Sequence, residues 1–377
     1  MSKPKIWESL TTLFKKSPPS SPEDELEAAA AYQAANQPEA AAETYLKILS
    51  HYPDQSWWYN ISLWESLEQT ERLDRAIAIL GQANQPSNSV HPITALNLAE
   101  ALTRQGDYPA AMTHYQSASY AKFSKSYQQL VETAWTKTPL SPQFIIIGAA
   151  KSGTSALYSY LASHPNVLPA VVKEINFWSY RFQNGLPWYQ SHFPAISETI
   201  ALQQGLVTGE ASPSYFAHPE APQRLKQAYP NIRLIVSLRN PVERTISHYY
   251  DRVRRHQEVR PLAQAIDDSL SGNFNHPAEV KLAHNYLQQS CYSDNLKAWY
   301  SHFDSRQIYV IKSEDLLDQP ATTSQLSQYR KYNVGNYNSS ISKLDRESED
   351  KVKAQLRDYF QEDTKQLQNI IGTVLTW

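Results

Sequence analysis

The residue types best suited to chemistry fall in two short, well-separated stretches. The first is Gly148-Ala149-Ala150-Lys151-Ser152-Gly153-Thr154-Ser155, a run of small residues with a lysine inside it. Small side chains let main-chain N–H groups converge, hydroxyls add donors, and Lys151 adds a cation, which together make an anion cradle. The second is Arg239-Asn240-Pro241, followed by Ser247. An arginine fork with a hydroxyl nearby suits a dianionic phosphate. Each stretch also has a plainer explanation: a glycine-containing strand-to-helix turn, and an arginine paired to a carboxylate beside a water-facing serine.

These residues need elements to hold them. Phe144-Ile145-Ile146-Ile147 reads as a buried strand entering the first loop, and Ala156-Leu157-Tyr158-Ser159-Tyr160-Leu161 as a helix leaving it. The helix N-terminus would face the loop and favour negative charge. Arg233-Leu234-Ile235-Val236-Ser237-Leu238 reads as a second strand that delivers Arg239 at its carboxyl end, where open α/β sheets bind ligands. Asn240 is a good N-cap and Pro241 fits the first helical position. The loop is not the G-x-x-x-x-G-K-[ST] form of nucleoside triphosphatases, because Lys151 precedes Gly153. That order, with no evident magnesium carboxylate, disfavours a nucleotide phosphotransferase.

Taken together, the two stretches resemble the sulfotransferase family, most closely its heparan sulfate branch. Lys151-Ser152-Gly153-Thr154-Ser155 matches the family's 5′-phosphosulfate signature, and Arg239 with Asn240-Pro241-Val242-Glu243-Arg244 and Ser247 its 3′-phosphate signature. Lys173-Glu174-Ile175-Asn176-Phe177-Trp178, Trp188-Tyr189 and Gly209-Glu210-Ala211-Ser212-Pro213-Ser214-Tyr215-Phe216 follow in the right order between them. The resemblance implies a P-loop-like α/β domain with a central parallel sheet. It implies 3′-phosphoadenosine-5′-phosphosulfate (PAPS) as donor, 3′,5′-adenosine bisphosphate as product, and no metal.

The resemblance also assigns roles. Lys151 would neutralise charge on the leaving 5′-phosphate oxygen, and Ser152, Gly153, Thr154 and Ser155 would hold that phosphate through amides and hydroxyls. Arg239 and Ser247 would hold the 3′-phosphate. Glu174 would take the proton from an attacking hydroxyl or amine of the acceptor, which could be a saccharide, a lipid, a small metabolite or a carrier-bound intermediate. Asn176 stands where many members of the branch have histidine, and Ala211 where some have lysine. These departures motivate a second reading, in which a repeat-based interaction protein carries a catalytically impaired sulfotransferase domain. Arg330-Lys331-Tyr332-Asn333-Val334-Gly335 could close over the donor. The arginines at 252, 254, 255 and 260 form a basic cluster, either a guide for an acidic glycan or a solvated helix end. The tail reads as two helices, about 346–360 and 364–373.

Composition bounds the rest. The chain has 377 residues, 41% of them hydrophobic and 19% charged, which is globular and long enough for two domains. A formal net charge of −2 gives no general attraction to nucleic acid. Cys291 is the sole cysteine, so the expectation is a reducing, cytoplasmic setting. No stretch reads as a signal peptide or a membrane span. At the front, Ile6, Leu10, Leu13 and Phe14 recur at helical spacing with lysines flanking, so residues 5–16 could touch a membrane surface, dock a partner or pack on the protein itself. A Ser/Pro linker closes this segment, residues 1–22.

Residues 23–138 read as helical repeats. Ala41, Ala76 and Ala111 stand 35 residues apart, as do Tyr45, Leu80 and Tyr115, then Ala28, Leu63 and Leu98, then Tyr32, Leu67 and Leu102. That period resembles tetratricopeptide repeats, about three of them, either binding a protein partner or capping the domain behind. Residues 139–377 are then the sulfotransferase domain.

Overall fold

A computed structural model describes residues 21–84, 91–255, 257–272, 285–318, 343–375 and 377. The stripe at 5–16 and the segment 330–335 lie outside these residues. The chain forms two compact units, 1–121 and 122–377.

In the first unit, helices pair in sequence: α1 (Pro22–Ala34) with α2 (Pro38–His51), α3 (Ile61–Gln69) with α4 (Leu73–Ala83), and α5 (Pro92–Gln105) with α6 (Tyr108–Ser126), the last crossing the unit boundary. The expected linker ends earlier than residue 22. Ser21 caps α1 by a reciprocal pair of bonds with Asp24, and Pro22 opens the helix.

The 35-residue period recurs in the backbone. Asn36, Glu71 and Gly106 each take positive φ, the left-handed turn that ends a helix. The next residue of each donates to the same place, Gln37 to Tyr32, Arg72 to Leu67 and Asp107 to Leu102. Ala41, Ala76 and Ala111 are fully buried, and Tyr45, Leu80 and Tyr115 nearly so. The register fails in one place. Ala28 and Tyr32 are exposed, and Ala29 is buried instead. Both lie on α1, the first of the described helices.

In the second unit, α7 (Gln128–Ala134) follows. Residues 122–138, assigned from the sequence to the repeats, contribute here: Phe123, Val131 and Ala134 are buried with Leu140, Leu168 and Ile196. Next come β1 (Phe144–Gly148), α8 (Thr154–Ala162), β2 (Val167–Pro169), α9 (Leu186–Gln190), α10 (Glu198–Gln203), β3 (Val207–Ala211), α11 (Ala221–Ala228), β4 (Arg233–Leu238) and α12 (Pro241–Arg254). They are followed by α13 (Leu262–Leu270), α14 (Tyr292–Tyr300), β5 (Ile308–Lys312), α15 (Asp315–Asp318) and α16 (Lys343–Ile371).

The strands form one parallel sheet in the order β2-β3-β1-β4-β5. The chain leaves β1 towards β2 and β3 and returns to the other side at β4. The carboxyl ends of β1 and β4 therefore flank the topological switch point. The tail differs from expectation. One continuous helix, α16, replaces two, because nothing near Asp363 breaks it. Asp363 instead caps α14, accepting from the main-chain N–H of Tyr292 and Ser293 and from the Ser293 hydroxyl at 2.6–3.1 Å.

Candidate active site

The loop after β1 is bound to the end of β4. Ala149 N–H donates to Ser237 O at 2.8 Å, and the Ser237 hydroxyl donates to Ser152 O at 2.6 Å. The N-terminus of α8 has Gly153 at its cap position, with φ +77 and no side-chain cap. First-turn amides have no intrahelical acceptor, so this end suits an anion. By contrast α12 is capped from within, with Asn240 Oδ1 accepting from Val242 and Glu243 N–H. Gly148 must be glycine, since a Cβ there would lie 2.4 Å from the Phe216 Cβ.

The two sequence-predicted phosphate sites come together. Arg239 Nη1 donates to Lys151 O at 3.4 Å. Lys151 Nζ donates to Asp251 Oδ1 at 3.0 Å, and Asp251 sits one helical turn beyond Ser247 on α12. Ser152 and Thr154 are buried, Ser155 is exposed, and Arg239 and Ser247 are half-buried. Arg244 lies beneath, fully buried, donating to Ser290 Oγ, Tyr286 O and Ala150 O. Burial pulls its guanidinium down to about 10, so it stays charged at neutral pH.

Non-glycine residues with positive φ among the described residues are Asn36 and Glu71 in the repeat turns, and Lys151, Glu174 and Asn176 here. Sparsely populated backbone geometry concentrates at functional sites. Glu174 is 48% exposed, with the Lys173 ammonium on its carboxylate. Its N–H donates to Ala211 O at 2.9 Å, at the end of β3. Ser212 N–H donates in turn to Ile146 O of β1. Glu174 and Lys151 therefore sit at the same carboxyl edge of the sheet. Asn176 does not replace the expected histidine. Its amide is committed to Glu174 O through Nδ2 and to the Ser214 hydroxyl through Oδ1.

The basic cluster is largely paired. Arg254 and Arg255 bind Asp251, Arg260 binds Glu258 and Asp268, and Arg252 binds Gln257 and His248. Two carboxylates here have surroundings that the sequence does not announce. Asp251 was detectable only as the residue four beyond Ser247. Burial pushes its carboxyl up, but Lys151 and Arg255 overcome this and hold it below the usual range. Glu210 is fully buried in β3, and burial raises it to about 7 despite hydrogen bonds from Ser212, Tyr215 and Tyr189.

Residues 141–366 match the model of the sulfotransferase domain. The chain belongs to the sulfotransferase family. It is 33% identical over 180 residues to human heparan sulfate glucosamine 3-O-sulfotransferase 3B1, covering 48% of this chain and 43% of that one. It is 32% identical over 199 residues to the bifunctional heparan sulfate N-deacetylase/N-sulfotransferase 1 of Caenorhabditis briggsae, covering 50% of this chain and 22% of that one. The chain thus spans less than half the length of these relatives. A solved sulfotransferase from Alicyclobacillus acidocaldarius is 25% identical, with a TM-score of 0.45, covering 63% of this chain and 98% of that one. Among the described residues, no group of three or more His, Cys, Asp or Glu side chains could hold a metal ion. No described helix is long and apolar enough to cross a membrane.

Proposed function

We propose that the protein transfers a sulfuryl group from PAPS to a hydroxyl or amine of a saccharide acceptor, releasing 3′,5′-adenosine bisphosphate. The observation that carries this reading is the meeting of the loop after β1 with Arg239 at the switch point, in a chain of this family. Two phosphate sites joined across one sheet edge suit a nucleotide phosphorylated at both the 5′ and 3′ positions. The amides of 152–155 with the Thr154 and Ser155 hydroxyls hold the 5′-phosphate, and Arg239 and Ser247 the 3′-phosphate. Lys151 must leave Asp251 to meet the bridging oxygen, where it offsets the charge that develops as the S–O bond breaks. In-line transfer asks mainly for positioning. Glu174, exposed at the rim, takes the proton from the acceptor. The names of the relatives favour a glucosamine-containing glycan.

The commitment of Asn176 to Ser214, together with Ala211, favours the second reading: a repeat-based interaction protein with an impaired transferase domain. One titration separates them. Tight binding of 3′,5′-adenosine bisphosphate over ATP, with radiolabelled sulfate moving from PAPS to a heparan-type oligosaccharide, is expected. Bisphosphate binding without transfer to any acceptor in a glycan, lipid and metabolite screen would establish the second. Preference for ATP would defeat both.

The helix pairs of the first unit are, in this proposal, tetratricopeptide-like repeats that bind a protein partner. The recurring left-handed turns at Asn36, Glu71 and Gly106 support this. The setting proposed is cytoplasmic. Burial raises the Cys291 thiol to about 11, which suits a structural rather than a reactive cysteine.

A further inference from the structure

Glu210 is a carboxylate with no access to solvent, placed on β3 opposite Ile145 of β1. Its Oε2 accepts from the Ser212 hydroxyl at 2.6 Å, and its Oε1 from the Tyr215 hydroxyl at 2.7 Å. Tyr189 Oη approaches Oε1 at 3.4 Å. Each of the first two hydroxyls does a second thing. Ser212 Oγ accepts from Asn176 N–H at 3.0 Å, and Tyr215 Oη from Phe177 N–H at 3.0 Å. The Glu174 N–H is bound next door by Ala211 O. Three amides of the loop are therefore fixed by residues clustered around one buried charge.

We propose that Glu210 is a positioning residue that holds the Glu174 loop in its left-handed turn, acting through the hydroxyls of Ser212 and Tyr215. The proposal rests on Glu174 being the base. A hydroxyl has one proton. Because the carboxylate takes that proton from both Ser212 and Tyr215, their lone pairs face the loop amides. Polarised chains of this kind are stronger than isolated bonds in a low dielectric. Glutamine keeps the shape but not the pattern. Its oxygen fills only one of the two carboxylate oxygen places, while its NH₂ meets the hydroxyl at the other place donor to donor, so that arm must turn its proton away and loses the geometry that aims a lone pair at its amide.

Other titratable groups face this carboxylate. They are Tyr189 from α9, Tyr215 from the turn after β3, Tyr158 from α8, and Lys173 from the loop itself, whose ammonium also pairs with Glu174. The tyrosines stay protonated at neutral pH, since burial pushes the phenols of Tyr189 and Tyr215 well up. Glu210 is the group of this set that changes charge near neutrality, so acid should loosen the loop.

The test uses the full chain and does not depend on knowing the acceptor. Hydrogen exchange is followed in a peptide covering 173–178 and in one covering β4 and α12. In Glu210→Gln, exchange of the first should rise about tenfold, the loss of roughly one buried hydrogen bond. The second peptide should be unchanged, and affinity for 3′,5′-adenosine bisphosphate should stay within about twofold. Wild type should lose the extra protection below pH 7, and the variant should show no such step. With heparan-type oligosaccharide and labelled PAPS, kcat should fall about tenfold with the donor KM little changed, and the variant should cost nothing further in a Glu174→Gln background. Unchanged protection of 173–178, or bisphosphate affinity falling in parallel, overturns the proposal. Should Glu210→Gln not fold, Tyr215→Phe and Ser212→Ala each remove one arm and answer the same question. Full activity in Glu174→Gln alone would dismiss the choice of base while the exchange data still decide the clamp.

Discussion

Lys151 Nζ lies 3.0 Å from Asp251 Oδ1, an ion pair between the loop after β1 and the helix after β4. Asp251 is 7% exposed and also receives Arg254 and Arg255. The lysine expected to meet the leaving phosphate oxygen is thus paired with a carboxylate of this chain. A phosphate entering the cradle must displace that carboxylate from Lys151.

Asp251→Asn should therefore bind 3′,5′-adenosine bisphosphate more tightly, by about three- to tenfold, the scale of one partly screened charge pair. Lys151→Ala should bind it more weakly. Calorimetric titration at two salt concentrations checks both, and weaker binding by the asparagine variant would show that Asp251 assists the donor and does not compete with it.

Arg239→Ala should distinguish the two phosphates. A charge-assisted bond to a phosphate is worth about 2 kcal/mol, so bisphosphate affinity should fall roughly 30-fold. Affinity for adenosine 5′-monophosphate, which lacks the 3′ group, should change less than about threefold. Equal losses for the two ligands would place Arg239 away from the 3′-phosphate.

The elements that carry Lys151 and Arg239 were legible in the sequence because their logic is local. Strand, small-residue loop and helix follow one another around Lys151, and Arg239 closes a strand whose apolar run announces it. The 35-residue period was legible for the same reason, and it failed only at Ala28 and Tyr32, which are exposed on the first described helix. Glu210 and Asp251 were not legible. Their roles depend on partners far away in the chain: Asn176 and Phe177 reach Glu210 through two hydroxyls, and Lys151 is 100 residues from Asp251. A pattern of residue types along the chain carries no signal for such pairs. The tail reads as two helices in the sequence, whereas α16 runs on past Asp363, which caps α14 from outside.

Glu210 also links stability to pH. Its folded value, about 7, stands above the ordinary 4.5, so the native state keeps a proton that the unfolded chain releases. Stability from this group is full below about pH 4.5 and declines as pH rises to 7. The scale at pH 8 is on the order of 3 kcal/mol relative to a neutral isostere, before the lost hydrogen bond in the isostere is subtracted. Urea midpoints of wild type should thus fall relative to Glu210→Gln between pH 5 and 8. Parallel curves for the two proteins would mean that Glu210 titrates as an ordinary carboxylate.

Gly209 tests how tightly the strand that carries Glu210 is held. It pairs with Phe144 across β1 and β3, and a Cβ built on it would lie 2.4 Å from Phe144 O and 2.7 Å from the Phe144 ring. The first contact is with backbone, which cannot rotate away, so the two central strands must separate locally. Gly209→Ala should destabilise the second unit by about 1–3 kcal/mol, the range for overpacking a well-filled interior. The same displacement moves Glu210, the next residue along β3, away from Ser212 and Tyr215. Exchange of the 173–178 amides should therefore rise in Gly209→Ala even well below its unfolding midpoint, while the helix pairs of the first unit keep their protection. A loss of stability spread evenly over both units, with no preference for that loop, would contradict the connection drawn from β3 to Glu174.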